Sequence, residues 1–134
     1  MQKNDLKRLG DAELEIMLAL WEEKEPVTSG HILERIKGKR SWALSTLMVS
    51  LERLADKGYV HCDRTTRTNY YTAVVTAEQY KASENRTFLG RLYGSSVSRF
   101  VATLYSSHEM SQEDISELKA LLDRMERGEG DGNA

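Results

Sequence analysis

Short hydroxyl and apolar side chains lie close together in residues 41–58, and a run of cations follows them. Leu47, Leu51 and Leu54 recur at helical spacing and predict one buried helix face. The residues that point away from this face could meet base edges, because hydroxyls form hydrogen bonds and apolar groups contact thymine methyls. These candidates for base contact are Ser45, Thr46, Met48 and Val49. An ordinary amphipathic core helix is the alternative interpretation of this segment alone.

The segment after this helix predicts a β-hairpin with a basic tip. Gly58 favours the end of the helix, because glycine adopts the left-handed conformation at low cost. Residues 59–64 and 69–74 are rich in β-formers, and the polar turn 65–68 lies between them. In the winged helix-turn-helix arrangement, a helix enters the major groove and such a hairpin reaches flanking phosphates. A structural β-ribbon with solvated arginines is the alternative.

The net charge of −2 is distributed unevenly along the 134 residues. Residues 1–34 carry four Lys/Arg and eight Asp/Glu, and residues 68–134 carry seven and ten. The middle segment, residues 35–67, carries eight Lys/Arg and three Asp/Glu, a local charge of +5. Such a basic segment is the electrostatic footprint that phosphate binding requires. The candidates for phosphate contact are Lys39, Arg40, Arg53, Arg64 and Arg67.

Two helices are predicted before the recognition helix. The first is expected from about Asp11 to Lys24, because apolar residues recur there at intervals of three and four. Pro26 ends it, and Thr28 is the expected N-cap of a short second helix. Three helices and a hairpin therefore form the predicted winged-helix DNA-binding domain, residues 1–74.

The second half of the chain predicts helices with narrow apolar stripes. Residues 75–127 are expected to form a helical dimerisation domain, so the fold class is mainly α with a small β-hairpin. Packing of these stripes on the first domain is the alternative, and residues 128–134 are expected to be a disordered tail. The stripe residues expected in the dimer interface are Val97, Phe100, Val101, Leu104, Ile115, Leu118, Leu122 and Met125.

Motifs and composition favour neither an enzyme nor a membrane protein. The sequence has no glycine-rich phosphate loop and no nucleophile elbow, and its three histidines lack metal-ligand spacing. A single cysteine excludes an internal disulfide. The apolar runs are too short to cross a bilayer, and the first residues lack a signal peptide's apolar segment. We therefore expect a cytoplasmic protein that is not an enzyme and uses no cofactor or metal.

Several short segments occur in a recognisable order: residues 9–17 with Trp21, Thr46 with Arg53-Leu54, Lys57-Gly58, Tyr70-Tyr71, and residues 111–118. Over roughly residues 6–126 they resemble the penicillinase and methicillin-resistance repressor family, BlaI/MecI/CopY. The resemblance implies a repressor that binds a palindromic DNA operator as a homodimer through its C-terminal helices. It also implies control of β-lactam-responsive genes. A winged-helix module that binds proteins, without sequence-specific DNA binding, is the alternative function.

The resemblance also implies how DNA is released, and here the sequence departs from the family. In characterised relatives a membrane-bound sensor protease detects β-lactam, and cleavage of an Asn-Phe bond in the dimerisation domain frees the operator. The matching bond is Thr103-Leu104, which argues against proteolytic induction. Met48 and Val49 stand where relatives commonly have polar or basic residues, so the operator sequence is not transferred. The absence of Cys-x-Cys motifs argues against copper sensing.

Overall fold

The computed structural model describes residues 6–39 and 41–129. Within them the chain forms six helices and one antiparallel hairpin, a mainly α fold as the sequence predicts. The elements in chain order are α1 Asp11–Leu20, α2 Ser29–Ile36, α3 Leu44–Asp56, β1 Val60–Asp63, β2 Tyr70–Ala73, α4 Ala77–Tyr93, α5 Val97–Ser106 and α6 Gln112–Glu126. The chain divides into two compact units, Met1–Arg86 and Thr87–Ala134.

The core of the first unit lies where α1, α2 and α3 meet the hairpin. The predicted inner face of α3 is confirmed, since Leu47, Leu51 and Leu54 are buried. Fully burying one such side chain stabilises the fold by about 1.5–3 kcal/mol. The largest fully buried side chains are Tyr59, Ile16, Met17, Ile32, Ile36, Leu47, Leu51 and Leu54.

Two of the predicted helix ends are confirmed, and one is wrong. Thr28 caps α2 by accepting a hydrogen bond from the His31 N–H, and Gly58 follows α3 with φ of 85°. Helix α1 ends at Leu20 rather than near Lys24. The Trp21 N–H still donates to a carbonyl four residues earlier, but the Glu22 and Glu23 N–H groups donate to carbonyls three residues earlier, which tightens the chain into turns before Pro26.

The hairpin is fixed on both sides of β2. Strand β1 pairs with β2 in a register that places Cys62 opposite Tyr71 and Asp63 opposite Tyr70. On the other side, Val27 and Tyr71 exchange backbone hydrogen bonds of 3.1 and 2.7 Å. The Tyr71 side chain is buried. The loop before α2 therefore holds β2 in place near the tip end of the hairpin.

The first compact unit continues beyond residue 74, where the sequence placed the domain boundary, to Arg86. The reason is that the first turns of α4 pack into its core through the buried side chains of Tyr80 and Ser83. The N-terminal segment crosses these turns. The Leu9 N–H donates to the Tyr80 hydroxyl at 3.3 Å, and the Leu6 N–H donates to Ser83 Oγ at 2.8 Å.

A partly buried ion pair joins the start of α1 to the end of α3. Glu13 Oε1 accepts hydrogen bonds from Lys57 Nζ at 2.7 Å and from the Gly10 N–H at 3.0 Å. Burial by itself raises the pKa of Glu13, but these hydrogen bonds and the positive charges of Lys57 and Arg53 lower the pKa below its ordinary 4.5 overall. The ionised carboxylate therefore stabilises the fold.

Replacing Glu13 by glutamine is expected to lower the free energy of unfolding by about 1–2 kcal/mol, because a charged hydrogen bond becomes a neutral one. The folded-state pKa is depressed, so this stability is present above the unfolded-state pKa and disappears as pH falls through the folded value. Urea unfolding at pH 7 and at acid pH measures both effects.

Glu15→Gln is the matched control on the same helix. The Glu15 carboxylate lies 4.0 Å from Lys39 Nζ, and the Lys39 side chain is 68% exposed, so we expect a change below about 0.5 kcal/mol. Equal unfolding free energies for the Glu13→Gln protein and its parent at pH 7 would contradict the assignment.

Candidate nucleic-acid interface

Four residues of α3 are predicted to contact bases, and three of them are exposed on its outer face. Ser45 and Thr46 are exposed in its first turn, and Val49, one turn later, is 50% exposed. The N-cap residue, Ala43, provides no side-chain hydrogen bond to the helix. A recognition helix usually meets base edges with residues near its N-terminus, where backbone amides also favour negative charge.

Met48, the fourth candidate, is held differently. Its side chain is half-buried against the core, and its sulfur lies 4.0 Å from the Tyr71 hydroxyl, which donates to it. A groove of about 140 Å³ runs beside it between α3 and the hairpin, with Val49, Cys62 and Arg64 in its lining. The thioether therefore joins the helix to the hairpin, and less of Met48 than of Val49 is open to a base.

The tip of the hairpin presents two arginines, Arg64 and Arg67, whose side chains are exposed. In the part of the chain that the structure describes, no carboxylate forms an ion pair with either of them. Unpaired guanidinium groups keep their full charge for phosphate, to which they bind with strong, directional hydrogen bonds.

The other cations of the basic segment are less available than the sequence count indicates. Carboxylates of α1 and the turn after it neutralise several of them: Glu13 pairs with Lys57, and Glu22 and Glu23 pair with Arg35. Among the remaining candidates for phosphate contact, Lys39 lies 4.0 Å from Glu15, and Arg53 is exposed on α3 with no ion pair to a described carboxylate. Arg40 lies outside the described residues. The free positive charge is therefore concentrated on α3 and the hairpin tip.

The second unit, Thr87–Ala134, has no buried side chain among its described residues. Of the predicted interface residues, Val97, Leu122 and Met125 are 60%, 50% and 51% exposed. The other five, which are half-buried, are Phe100, Val101, Leu104, Ile115 and Leu118. Sequence periodicity missed Leu92 and Tyr105, which are 66% and 60% exposed. Apolar exposure on this scale is typical of an interaction surface.

The Thr103-Leu104 bond lies inside α5. The Thr103 carbonyl accepts hydrogen bonds from the Ser107 N–H at 2.9 Å and from the Ser107 hydroxyl at 2.8 Å. Thr103 is exposed, whereas the Leu104 side chain is half-buried. A protease would have to open this helical turn before cutting the bond.

Two other kinds of feature are absent from the described residues. They contain no group of three His, Cys, Asp or Glu side chains arranged to hold a metal ion. None of their helices combines the length and apolarity needed to cross a membrane.

An exposed hydroxyl and apolar helix face beside a basic hairpin defines a winged-helix DNA-binding protein. The model of the penicillinase repressor family matches residues 9–124, and the chain belongs to that family. Its resemblance to the penicillinase and methicillin-resistance repressors is thereby confirmed. The family consists of transcriptional repressors, and the protein is a DNA-binding transcriptional repressor.

Two relatives match nearly the whole chain. The penicillinase repressor of Bacillus licheniformis is 25% identical over 118 residues, covering 88% of this chain and 91% of the relative. The transcriptional regulator BlaI of Mycobacterium tuberculosis is 30% identical over 125 residues, covering 93% and 90%. The solution structure of monomeric Bacillus licheniformis BlaI with the blaP half-operator is 24% identical, with a TM-score of 0.48, over 57% of this chain and 92% of that one. Family membership does not favour the alternative of a module that binds only proteins.

Proposed function

We propose that this repressor binds a palindromic operator as a homodimer, with α3 in the major groove and the hairpin, the wing, on the flanking phosphates. The observation that carries the DNA contact is the exposed outer face of α3 next to the unpaired arginines of the wing, Arg64 and Arg67. Both features lie in the first compact unit, so one protomer carries all the proposed contacts to one half of the operator.

Base recognition is assigned to the first turns of α3. The Ser45 and Thr46 hydroxyls are available for hydrogen bonds to base edges, and Val49 offers an apolar contact to a thymine methyl. Met48 has a supporting role, because its thioether contacts Tyr71 and holds α3 against the wing.

Thr46→Ala is expected to reduce the ratio of operator affinity to random-DNA affinity about fivefold, because one hydrogen bond contributes about 1 kcal/mol. Thr46→Ser keeps the hydroxyl and is the matched control. The operator comes first from selection of genomic fragments by the purified protein, and titration of operator and scrambled duplexes gives the ratio. An unchanged ratio for Thr46→Ala would remove Thr46 from the base contacts.

Phosphate contact is assigned to Arg53, Arg64 and Arg67, and, after release from Glu15, to Lys39. Arg40, outside the described residues, is proposed for the same role from its place in the sequence. Such contacts supply affinity for any duplex, and their strength depends on salt because each releases condensed counterions.

Replacing Arg64 and Arg67 together by alanine is expected to weaken binding to all duplexes alike. The slope of log affinity against log salt should become shallower by about 1–2 units, since each lost phosphate contact removes about one released counterion. The matched control removes two exposed cations outside α3 and the wing, Lys24→Ala with Lys81→Ala. If the wing variant keeps the parent's affinity and salt slope, the wing does not contact phosphate.

The homodimer is proposed from the second unit. Its apolar side chains are exposed or half-buried, and α5 and α6 carry them at helical spacing. A second copy of the same surface would bury them symmetrically. The dimer would then place two recognition helices one helical turn of DNA apart. Because they are linked, the two together would bind the operator more tightly than either one alone.

Leu122→Asp is expected to yield monomers at micromolar concentration, because burying an unpaired charge costs several kcal/mol. Leu122 is 50% exposed in one protomer, so the substitution disturbs that protomer's own packing less than the same change at the half-buried Leu118 would. Ser116→Asp, at an exposed position of α6, is the matched control. Sedimentation measures the assembly, and an intact Leu122→Asp dimer would place the subunit interface elsewhere.

The relatives' names favour β-lactam-responsive genes as the targets of this repressor. The candidate partner that the family resemblance implies is a membrane-bound sensor protease. If release proceeds by proteolysis, Thr103-Leu104 is the proposed bond, because a cut there separates the first unit from α6 without touching a DNA contact. The hydrogen bonds on the Thr103 carbonyl require α5 to open first.

A further inference from the structure

Asp63 ends β1 and directly precedes the basic tip of the wing. A carboxylate at this place would repel DNA phosphates or neutralise a neighbouring arginine. Within the described residues, however, Asp63 forms no ion pair with Arg64 or Arg67. Its Oδ1 atom instead accepts two hydrogen bonds from Thr65, at 2.7 Å from the hydroxyl and 2.9 Å from the backbone N–H. The carboxylate therefore faces Thr65 within the tip itself.

The hydrogen bonds from the Thr65 hydroxyl and N–H lower the pKa of Asp63, so the group remains an ionised acceptor at neutral pH. On the other side of the tip, the Thr66 hydroxyl donates to the Thr68 carbonyl at 2.7 Å. Both halves of the turn are therefore held by local side-chain hydrogen bonds, although its side chains are exposed.

We propose that Asp63 is the positioning residue of the wing. By binding Thr65 it fixes the tip before DNA arrives, and it keeps its own charge from pairing with Arg64 or Arg67. Both guanidinium groups then meet DNA phosphates without paying the conformational entropy of ordering the tip. This role rests on the proposed wing contact with phosphate and deepens it.

A pair of substitutions separates positioning from charge. Asp63→Asn and Asp63→Ala both remove the negative charge, but only asparagine keeps an oxygen that accepts from Thr65. Charge repulsion alone would make the two variants bind equally. Positioning predicts that Asp63→Ala binds a random-sequence duplex about twofold to tenfold more weakly than Asp63→Asn, the range expected for one or two local hydrogen bonds. The salt slopes of the two variants should agree, because both arginines remain.

The experiment is salt-dependent titration of a fixed fluorescent duplex with the full-length proteins, after thermal unfolding has shown equal midpoints. Thr65→Val, which removes the hydroxyl and leaves Asp63 charged, is expected to bind at least about twofold more weakly than the parent. Equal affinities for Asp63→Ala and Asp63→Asn overturn the positioning role. A shallower salt slope in Asp63→Ala alone also overturns the positioning role. It would mean that phosphate contacts have been lost, whereas the proposal requires that they remain and only the tip becomes less ordered.

The double variant Arg64→Ala with Arg67→Ala is titrated in parallel and keeps the two proposals apart. If it binds as the parent does, the wing does not contact phosphate, and the role of Asp63 fails with it. If it binds more weakly while Asp63→Ala equals Asp63→Asn, the wing contact stands and only the positioning role fails.

Discussion

Leu47, Leu51 and Leu54 fix the rotation of α3 about its own axis, and every proposed base contact depends on that rotation. All three are buried against α1, α2 and the hairpin. Successive helix residues are rotated by roughly 100°, so this seam leaves Thr46 and Val49 on the exposed side. Turning the helix enough to expose one leucine would cost roughly 1.5–3 kcal/mol of apolar burial. The packing of the inner face of α3 therefore determines which side chains its outer face offers to DNA bases.

Two groups of cations in the first unit have different roles. Several near α1 are used in the fold: Lys57 pairs with Glu13, and Arg35 pairs with Glu22 and Glu23. Those on the wing have no carboxylate partner among the described residues. Glu13, Glu22 and Glu23 therefore neutralise cations around α1 and leave the wing basic. Local arrangement explains how a chain with net charge −2 binds an anionic polymer.

Features that depend on local chemistry could be predicted from the sequence, and features that depend on distant residues could not. Thr28 and Gly58 mark helix ends because a hydroxyl cap and a left-handed conformation act within a few residues. The inclusion of Tyr80 in the first unit depends instead on its hydrogen bond from Leu9, 71 residues away. The pairing of Lys57 with Glu13 spans 44 residues and likewise left no local signal. Charge counts along the sequence therefore overestimated the cations free for phosphate.

The second unit has little core of its own. None of its described side chains is buried, so one copy lacks the core that normally offsets the entropy of ordering a chain. Its rings cluster, with the Phe88 and Phe100 centroids 5.4 Å apart, but both side chains remain half-buried. Any partner that covers this apolar surface stabilises the unit by mass action. For a second copy of the chain, the concentration that favours dimers would also order α5 and α6. Operator affinity and the stability of the second unit would then rise together with protein concentration.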